Sequence, residues 1–486
     1  MKIMFIEPPK EFWFVMGEYM PPPLGILQLA AFIEEKCNGL DLDVVDSQAE
    51  GLDWQGLQRR IESYDPNLVV VSSLSTCNAY TVIRTVGLVK DIDSGIKTVV
   101  GGQHFSALAE QSLRDYPEID YIIRGEGEIT LLELVKTLDH QGNVGKIRGL
   151  SYRKNQDSNP QEQSTKKDLV IHNTARPLIA NLDDLPIPGY HLLDDYMGKY
   201  HFKMMSPSGS GYAMVEASRG CQHRCTFCSQ WIYWGGQHRT KTPQRVADEM
   251  ELLYNDYGIS FQWLTDDNLG LGNRYRDLCD EIIKRGLSDD LNWFIQARSD
   301  DIIDNEKLLP KMRKAGNFWV MAGLERHDRE TLDAFNKGIK NSDSKLAMRL
   351  LKDNDIFSQA TLITGDRNDS HQSMDEFREF VNQVDPDIAI FMILTPFPGT
   401  ALFNNAHHNG WIEDYNWSNY DMTHAVMPTL HLTRSEVQEE LFLCYRDFYG
   451  SMKRRLTGLF SRNTFKKHTY RYMAGQGLLQ SLRDLI

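Results

Sequence analysis

Short apolar runs alternate with amphipathic stretches along the first third of the chain. The runs Lys2–Ile6, Leu42–Val45, Leu68–Val71, Thr98–Val100 and Tyr121–Ile123 read as buried strands. Between them apolar residues recur at helical spacing over about 24–36, 54–63, 79–91, 106–114 and 129–138. Five strand–helix units of this length predict a doubly wound, Rossmann-like parallel sheet over residues 1–145. Such sheets bind ligands at the carboxyl ends of their strands. Those ends carry Ser72, Ser73, Ser75 and Thr76, then Gly101, Gly102, Gln103 and His104, then Gly125, Glu126 and Gly127. Glycine there lets a flat or bulky ligand approach the backbone. Tight strand-to-helix turns would use the same residue types, so pattern alone leaves both readings open.

Residues 146–205 read as a connector. Within it, 154–168 is polar without apolar periodicity, which predicts an exposed hairpin tip or a mobile loop. A second alternation fills 206–400. Strands are expected at Ala213–Ala217, Ser260–Leu264, Trp293–Gln296, Phe318–Met321, Gln359–Ile363 and Ile388–Ile393. A helix over about 243–257 opens with Thr242 as cap and Pro243 in its first turn. Six strand–helix units are too few for a closed eight-fold barrel and fit a partial (β/α)6 barrel. Barrel chemistry sits where strands end, and those ends carry Asp266, Asp267, Arg298 and Glu325. Residues 401–486 read as a helical C-terminal region, with Thr433 and Glu436 spaced as a capping box.

Composition changes the picture in three ways. Against 53 Lys and Arg stand 67 Asp and Glu, a net charge of −14, which argues against a general nucleic-acid binder. The basic residues gather in the tail, where 453–486 holds eight Lys or Arg and one acidic residue; a solvated helical face accounts for that more simply than an anionic substrate, RNA or a membrane surface. No apolar run approaches the roughly 20 residues of a spanning helix, and the N-terminus lacks a signal-peptide pattern, so a cytoplasmic protein with reduced thiols is expected.

Seven cysteines are too few and too odd for a disulfide scaffold, and three of them fall within eight residues. Cys221, Cys225 and Cys228 follow the apolar strand at 213–217 on one loop, spaced Cys-x3-Cys-x2-Cys. Three thiolates this close suit three irons of a [4Fe–4S] cluster, leaving the fourth iron open for a ligand. A zinc site with His223 as an added ligand, or a chance group of structural cysteines, are the alternatives. Cys37, Cys77, Cys279 and Cys444 have apolar neighbours and read as structural.

The motif, with Phe227 before its third cysteine, resembles that of the radical SAM superfamily. In the first domain, PPPLGILQLAAFIEE (21–35), SSLS (72–75), VVGGQHFSALAE (99–110) and IIRGEGEIT (122–130) resemble the cobalamin-binding domain of B12-dependent radical SAM enzymes. The resemblance covers nearly the whole chain. It implies a metal-binding, iron–sulfur enzyme whose [4Fe–4S] cluster is held by Cys221, Cys225 and Cys228. The resemblance further implies that the cluster's open iron chelates S-adenosylmethionine, that reductive cleavage yields a 5′-deoxyadenosyl radical, and that this radical abstracts hydrogen from an organic substrate. By the same resemblance, Phe227, Asp266, Asp267, Arg298 and Glu325 contact S-adenosylmethionine, while the segment after strand 5, ITGDRND, departs from the family's usual loop. Cobalamin contacts fall on Ser72, Ser73, Ser75, Thr76, Gly101, Gly102, Gln103, His104, Gly125, Glu126 and Gly127. No Asp-x-His-x-x-Gly motif is present, and His104 stands at another spacing, which implies cobalamin held without a histidine ligand.

Within that family, ASRGCxHxCTFCSQW, with Trp231 after the third cysteine, looks most like the anaerobic magnesium-protoporphyrin IX monomethyl ester oxidative cyclase group of bacteriochlorophyll biosynthesis. Methyltransferases that alkylate unactivated carbon of tetrapyrroles, hopanoids or other small molecules are the alternative, and no residue separates the two. A non-catalytic cobalamin and redox sensor has no need of the open iron. An RNA-modifying methylthiotransferase would carry a second cysteine trio in its first domain, where only Cys37 and Cys77 lie. The expected partners are a small organic substrate and a reductant such as flavodoxin or ferredoxin. His407, His408 and His424 are candidates for substrate or metal contact, with ordinary surface histidines the simpler reading.

Overall fold

A computed structural model describes residues 1–9, 19–73, 75–154, 169–206, 211–267, 270 and 272–483, with side chains to residue 476. The first sheet holds β1 (Lys2–Glu7), β2 (Asp41–Asp46), β3 (Leu68–Ser73), β4 (Lys97–Gly102) and β5 (Tyr121–Ile123), all parallel, in the order β2-β1-β3-β4-β5. Their apolar runs are buried on both faces: Ile3 and Phe5 join one core, Met4 and Ile6 the other. This is why the strands read as unbroken apolar segments.

The sheet continues beyond residue 145. β6 (Leu150–Arg153) and β7 (Val170–His172) add to it antiparallel, so part of the expected connector extends the first sheet. The polar segment expected to form a hairpin tip or mobile loop lies, but for Lys154, outside the described residues. The helix expected over 106–114 begins earlier and breaks at Leu108 into Gln103–Ala107 and Ala109–Asp115.

The second sheet is a run of six parallel strands in sequence order: β8 (Tyr212–Val215), β9 (Phe261–Leu264), β10 (Asn292–Arg298), β11 (Asn317–Glu325), β12 (Phe357–Thr364) and β13 (Ile388–Ile393). Helix Pro243–Tyr257 starts as expected. Thr242 accepts the Arg245 N–H, Pro243 stands in the first turn, and Gly258 closes the helix at φ +66°. At the amino ends of the strands the inner side chains are aromatic. Phe294 stacks on Trp319 at 4.0 Å and on Phe261 at 5.4 Å, with Phe202 against both Trp319 and Tyr212. The basic C-terminal segment packs under this floor: Phe465 stacks on Phe318 at 3.7 Å, and Thr469 donates its hydroxyl to Met204 O.

The open edge of β13 is covered by helix Arg434–Gly450, whose N-terminus carries the expected Thr433–Glu436 capping box. Tyr445 and Tyr449 turn their hydroxyls onto the strand. Each accepts an N–H and donates to the carbonyl of the same residue, Phe391 for Tyr445 and Ala389 for Tyr449, at 2.8–3.1 Å. Two side chains thus do on that edge what a neighbouring strand does elsewhere.

Candidate active site

The cysteine loop begins after β8. Gly220 holds φ +90°, and a Cβ there would lie 2.0 Å from Gln237 O, so the turn into the loop requires glycine. The base of the loop is pinned by Asp266, whose Oδ1 accepts the Ala217 and Ser218 N–H groups, both at 2.8 Å. Within the loop, Cys225 O accepts from the Cys228 N–H at 3.2 Å and from the Trp231 indole at 3.0 Å. Hydrogen bonds from Thr226 to Phe335 O and from Leu402 to Thr226 O tie it to the barrel.

All three thiols line one cavity of about 310 Å³ at the carboxyl ends of β9–β13. That volume lies in the range of small-molecule sites. His223, Phe227, Asp267, Arg298, Glu325 and Lys337 share its wall. Burial pushes all three thiols up, Cys228 to about 12, although the His223 and Gln230 backbone N–H groups pull Cys221 and Cys228 back. A thiolate in this place therefore needs metal or cation compensation. Three soft sulfurs around a roomy cavity fit a cluster.

Arg298 pairs with Asp300 through two guanidinium nitrogens and donates to Lys337 O. Glu325 accepts from Lys337 Nζ at 2.7 Å. Burial first, and the neighbouring Asp266 next, push Asp267 up to about 7. Asp266 was expected to touch a ligand beside Asp267. It is spent instead on the loop's backbone, is 1% exposed and does not line the cavity.

A second cavity of about 170 Å³ opens at the strand ends of the first sheet. Ser72, Ser73, Gly101, Gly102, Gln103, Gly125, Glu126 and Gly127 line it. A Cβ on Gly125 would meet nothing within 4 Å, so a flat group can lie against that backbone. Three expected contacts do not line it. Ser75 turns its hydroxyl to Cys77 Sγ at 3.1 Å, and the Thr76–Asn78 turn is packed against Trp417–Asn419. His104 is wedged edge-on between Phe105 and Trp417.

The two cavities are joined by the cysteine loop and its sequel. Gln103 accepts the Ser229 hydroxyl and donates to Gln230 Oε1 at 2.6 Å, and Tyr233 donates to Gly125 O at 2.7 Å. Arg219, 5% exposed, reaches Glu126, Glu128 and Glu216, and Arg239 also pairs with Glu126. Burial alone would raise the Glu128 carboxyl, but Arg219 holds it below the ordinary range. Sequence reasoning missed Arg219, Arg239 and Tyr233, which have partners about 90 to 110 residues away, and Lys337, which is turned inward by the backbone on either side of it. Of the three candidate histidines, His407 bonds Tyr415 and His424 bonds Asp421, whose neighbour Met422 enters the cysteine cavity with it.

Comparison with known proteins agrees with this arrangement. Residues 17–135 match the B12 binding domain and residues 215–381 the radical SAM superfamily. An uncharacterized methyltransferase of Pyrococcus horikoshii is 31% identical over 96% of both chains. The anaerobic magnesium-protoporphyrin IX monomethyl ester cyclase of Cereibacter sphaeroides is 29% identical over 90% of this chain and 68% of its own. The solved radical S-adenosylmethionine methyltransferase TsrM from Kitasatospora setae, determined with cobalamin and a [4Fe-4S] cluster, shares the fold with a TM-score of 0.70 at 16% identity, covering 100% of this chain and 99% of its own. The chain belongs to the radical SAM enzymes that carry a B12 binding domain ahead of the radical SAM domain.

Proposed function

We propose that the protein is a cobalamin-dependent radical SAM C-methyltransferase acting on a small organic substrate of tetrapyrrole type. The observation that carries the reading is the single loop, Arg219–Trp234, that lines both cavities and presents three thiols to one and Tyr233 and Trp234 to the other. When bound, the cluster with S-adenosylmethionine supplies one-electron bond cleavage, and cobalamin supplies a transferable methyl group. Cys221, Cys225 and Cys228 hold the cluster. Arg298 and Glu325 provide charges for an amino acid's carboxylate and ammonium, and Asp267 accepts hydrogen bonds. Phe227 and the stacked Trp263–Phe294 pair exclude water from the cavity wall. On the other side, the glycine-lined strand ends offer bare backbone to a corrin.

Full-length similarity to the Pyrococcus methyltransferase favours transfer. Oxidative cyclisation of magnesium-protoporphyrin monomethyl ester, the first expectation from the cysteine motif, is the second reading, favoured by the similarity to the Cereibacter cyclase. A flavodoxin or ferredoxin as electron donor and a cytoplasmic place of work complete the proposal. Among the described residues no helix is long and apolar enough to cross a membrane.

The test is an anaerobic turnover of iron-loaded protein with hydroxocobalamin, S-adenosylmethionine, dithionite and magnesium-protoporphyrin monomethyl ester, followed by mass spectrometry. A product heavier by one methyl group supports transfer, and net oxidation supports the cyclase instead. Absence of 5′-deoxyadenosine overturns both.

A further inference from the structure

The turn after helix Arg329–Ala334 is stitched to the cysteine loop. Thr226 donates its N–H to Phe335 O at 3.1 Å and its hydroxyl to Ala334 O at 3.2 Å. Asn336 donates to Arg224 O at 3.0 Å, and Phe227 meets Phe335 edge-on with ring centres 5.0 Å apart. Asn336 and Gly338 both take left-handed backbone, at φ +53° and +73°. That double reversal turns Lys337 inward, where it lines the cavity of the three thiols and is 7% exposed.

Its partner Glu325 is held by a second irregularity. Glu325 stands at φ +60°, where the register of β11 against β12 shifts between Gly323 and Glu325. Left-handed backbone is costly for a residue with a side chain and persists only where surrounding structure enforces it. A Cβ on Gly323 would lie 2.7 Å from Glu325 Oε1 and 2.8 Å from Lys337 Nζ, so the ion pair occupies the space a side chain would need. An exposed ion pair requires none of these departures. Burial pushes the Cys225 thiol up, and Lys337, the next largest influence, pulls it down.

We propose that Lys337 is a positioning residue that neutralises Glu325 beside the thiols and so sets the reduction potential of the cluster they hold. The inference rests on the cluster reading above. A cluster's potential follows the net charge around it, and charges a few ångströms away inside a protein are weakly screened. The intact pair adds little net charge. Removing Lys337 leaves a bare carboxylate, which disfavours an added electron. Removing Glu325 leaves an ammonium, which favours one.

The experiment is a redox titration followed by electron paramagnetic resonance on iron-loaded wild type, Lys337→Met, Glu325→Gln, the double variant and Lys337→Arg, with iron content measured first. The expected result is a lower potential for Lys337→Met and a higher one for Glu325→Gln. The double variant and Lys337→Arg should lie near wild type. A merely structural pair would move both single variants the same way, and that result or unchanged potentials overturns the proposal. Glu325→Gln keeps the side chain's shape, so the sign of its shift decides even if Lys337→Met takes up no iron. Wild-type protein that binds no iron overturns the cluster reading itself, and this inference with it.

Discussion

Ser229 donates its hydroxyl to the side-chain oxygen of Gln103 at 2.9 Å, across the seam between the two sheets. One partner directly follows β4 of the first domain, and the other directly follows Cys228. Replacing Gln103 by Leu removes this bond and the one to Gln230. The expected outcome is weaker cobalamin uptake by equilibrium dialysis with iron content unchanged, because the thiols keep their barrel contacts. Equal loss of iron would show that the seam holds the cysteine loop as a whole.

Arg219 is the charged centre of the same seam. Its guanidinium is buried among three carboxylates, so Arg219→Met leaves Glu128 buried without its cation, while Glu126 keeps Arg239. Breaking such a network by removing one partner costs about 3–5 kcal/mol. Urea unfolding of the cofactor-free protein should show a loss of that size. A loss below about 1 kcal/mol would mean the carboxylates find water.

Cys225→Ala is expected to abolish iron–sulfur uptake and all formation of 5′-deoxyadenosine, read by iron assay and chromatography. Cobalamin uptake at the strand ends of the first sheet should persist. Retained cleavage of S-adenosylmethionine would refute the assignment of the three thiols.

His104 gives a pH signature. Burial lowers it from 6.5 to about 4, so the folded protein keeps the ring neutral while the unfolded chain protonates it. A group whose folded value is depressed contributes stability that is complete above the unfolded value and is lost as pH falls through the folded one. Stability should therefore decline between about pH 6.5 and pH 4, by on the order of 3 kcal/mol from this group. Denaturant titrations across that range should show a shallower decline in His104→Leu. Parallel curves would exclude the histidine as the source.

Local pattern carried the parts of this molecule that depend on neighbours in sequence. The three cysteines, the glycine-ended strands and the Thr433 cap are readable because their geometry is set within a few residues. Asp266 and Asp267 mark the limit. They are adjacent and chemically identical, and only the packed loop decides that one pins backbone while the other faces the cavity. Arg219 is more than 90 residues from Glu126 and Glu128, and Lys337 reaches its place through two left-handed residues that no periodicity announces. His104 sat beside conspicuous glycines, yet the strap carrying Trp417 claimed it for the core.

The two tyrosine hydroxyls on β13 bear on how such an unclosed wall survives in a crowded cell. A bare strand edge is a template for other chains, and the usual remedies are closure or charge. Here Tyr445 and Tyr449 saturate the backbone of Ala389 and Phe391, and Met422 O takes the Ile393 N–H. The six-stranded sheet can thus end at β13 without offering that edge to another chain, although no further strand closes it.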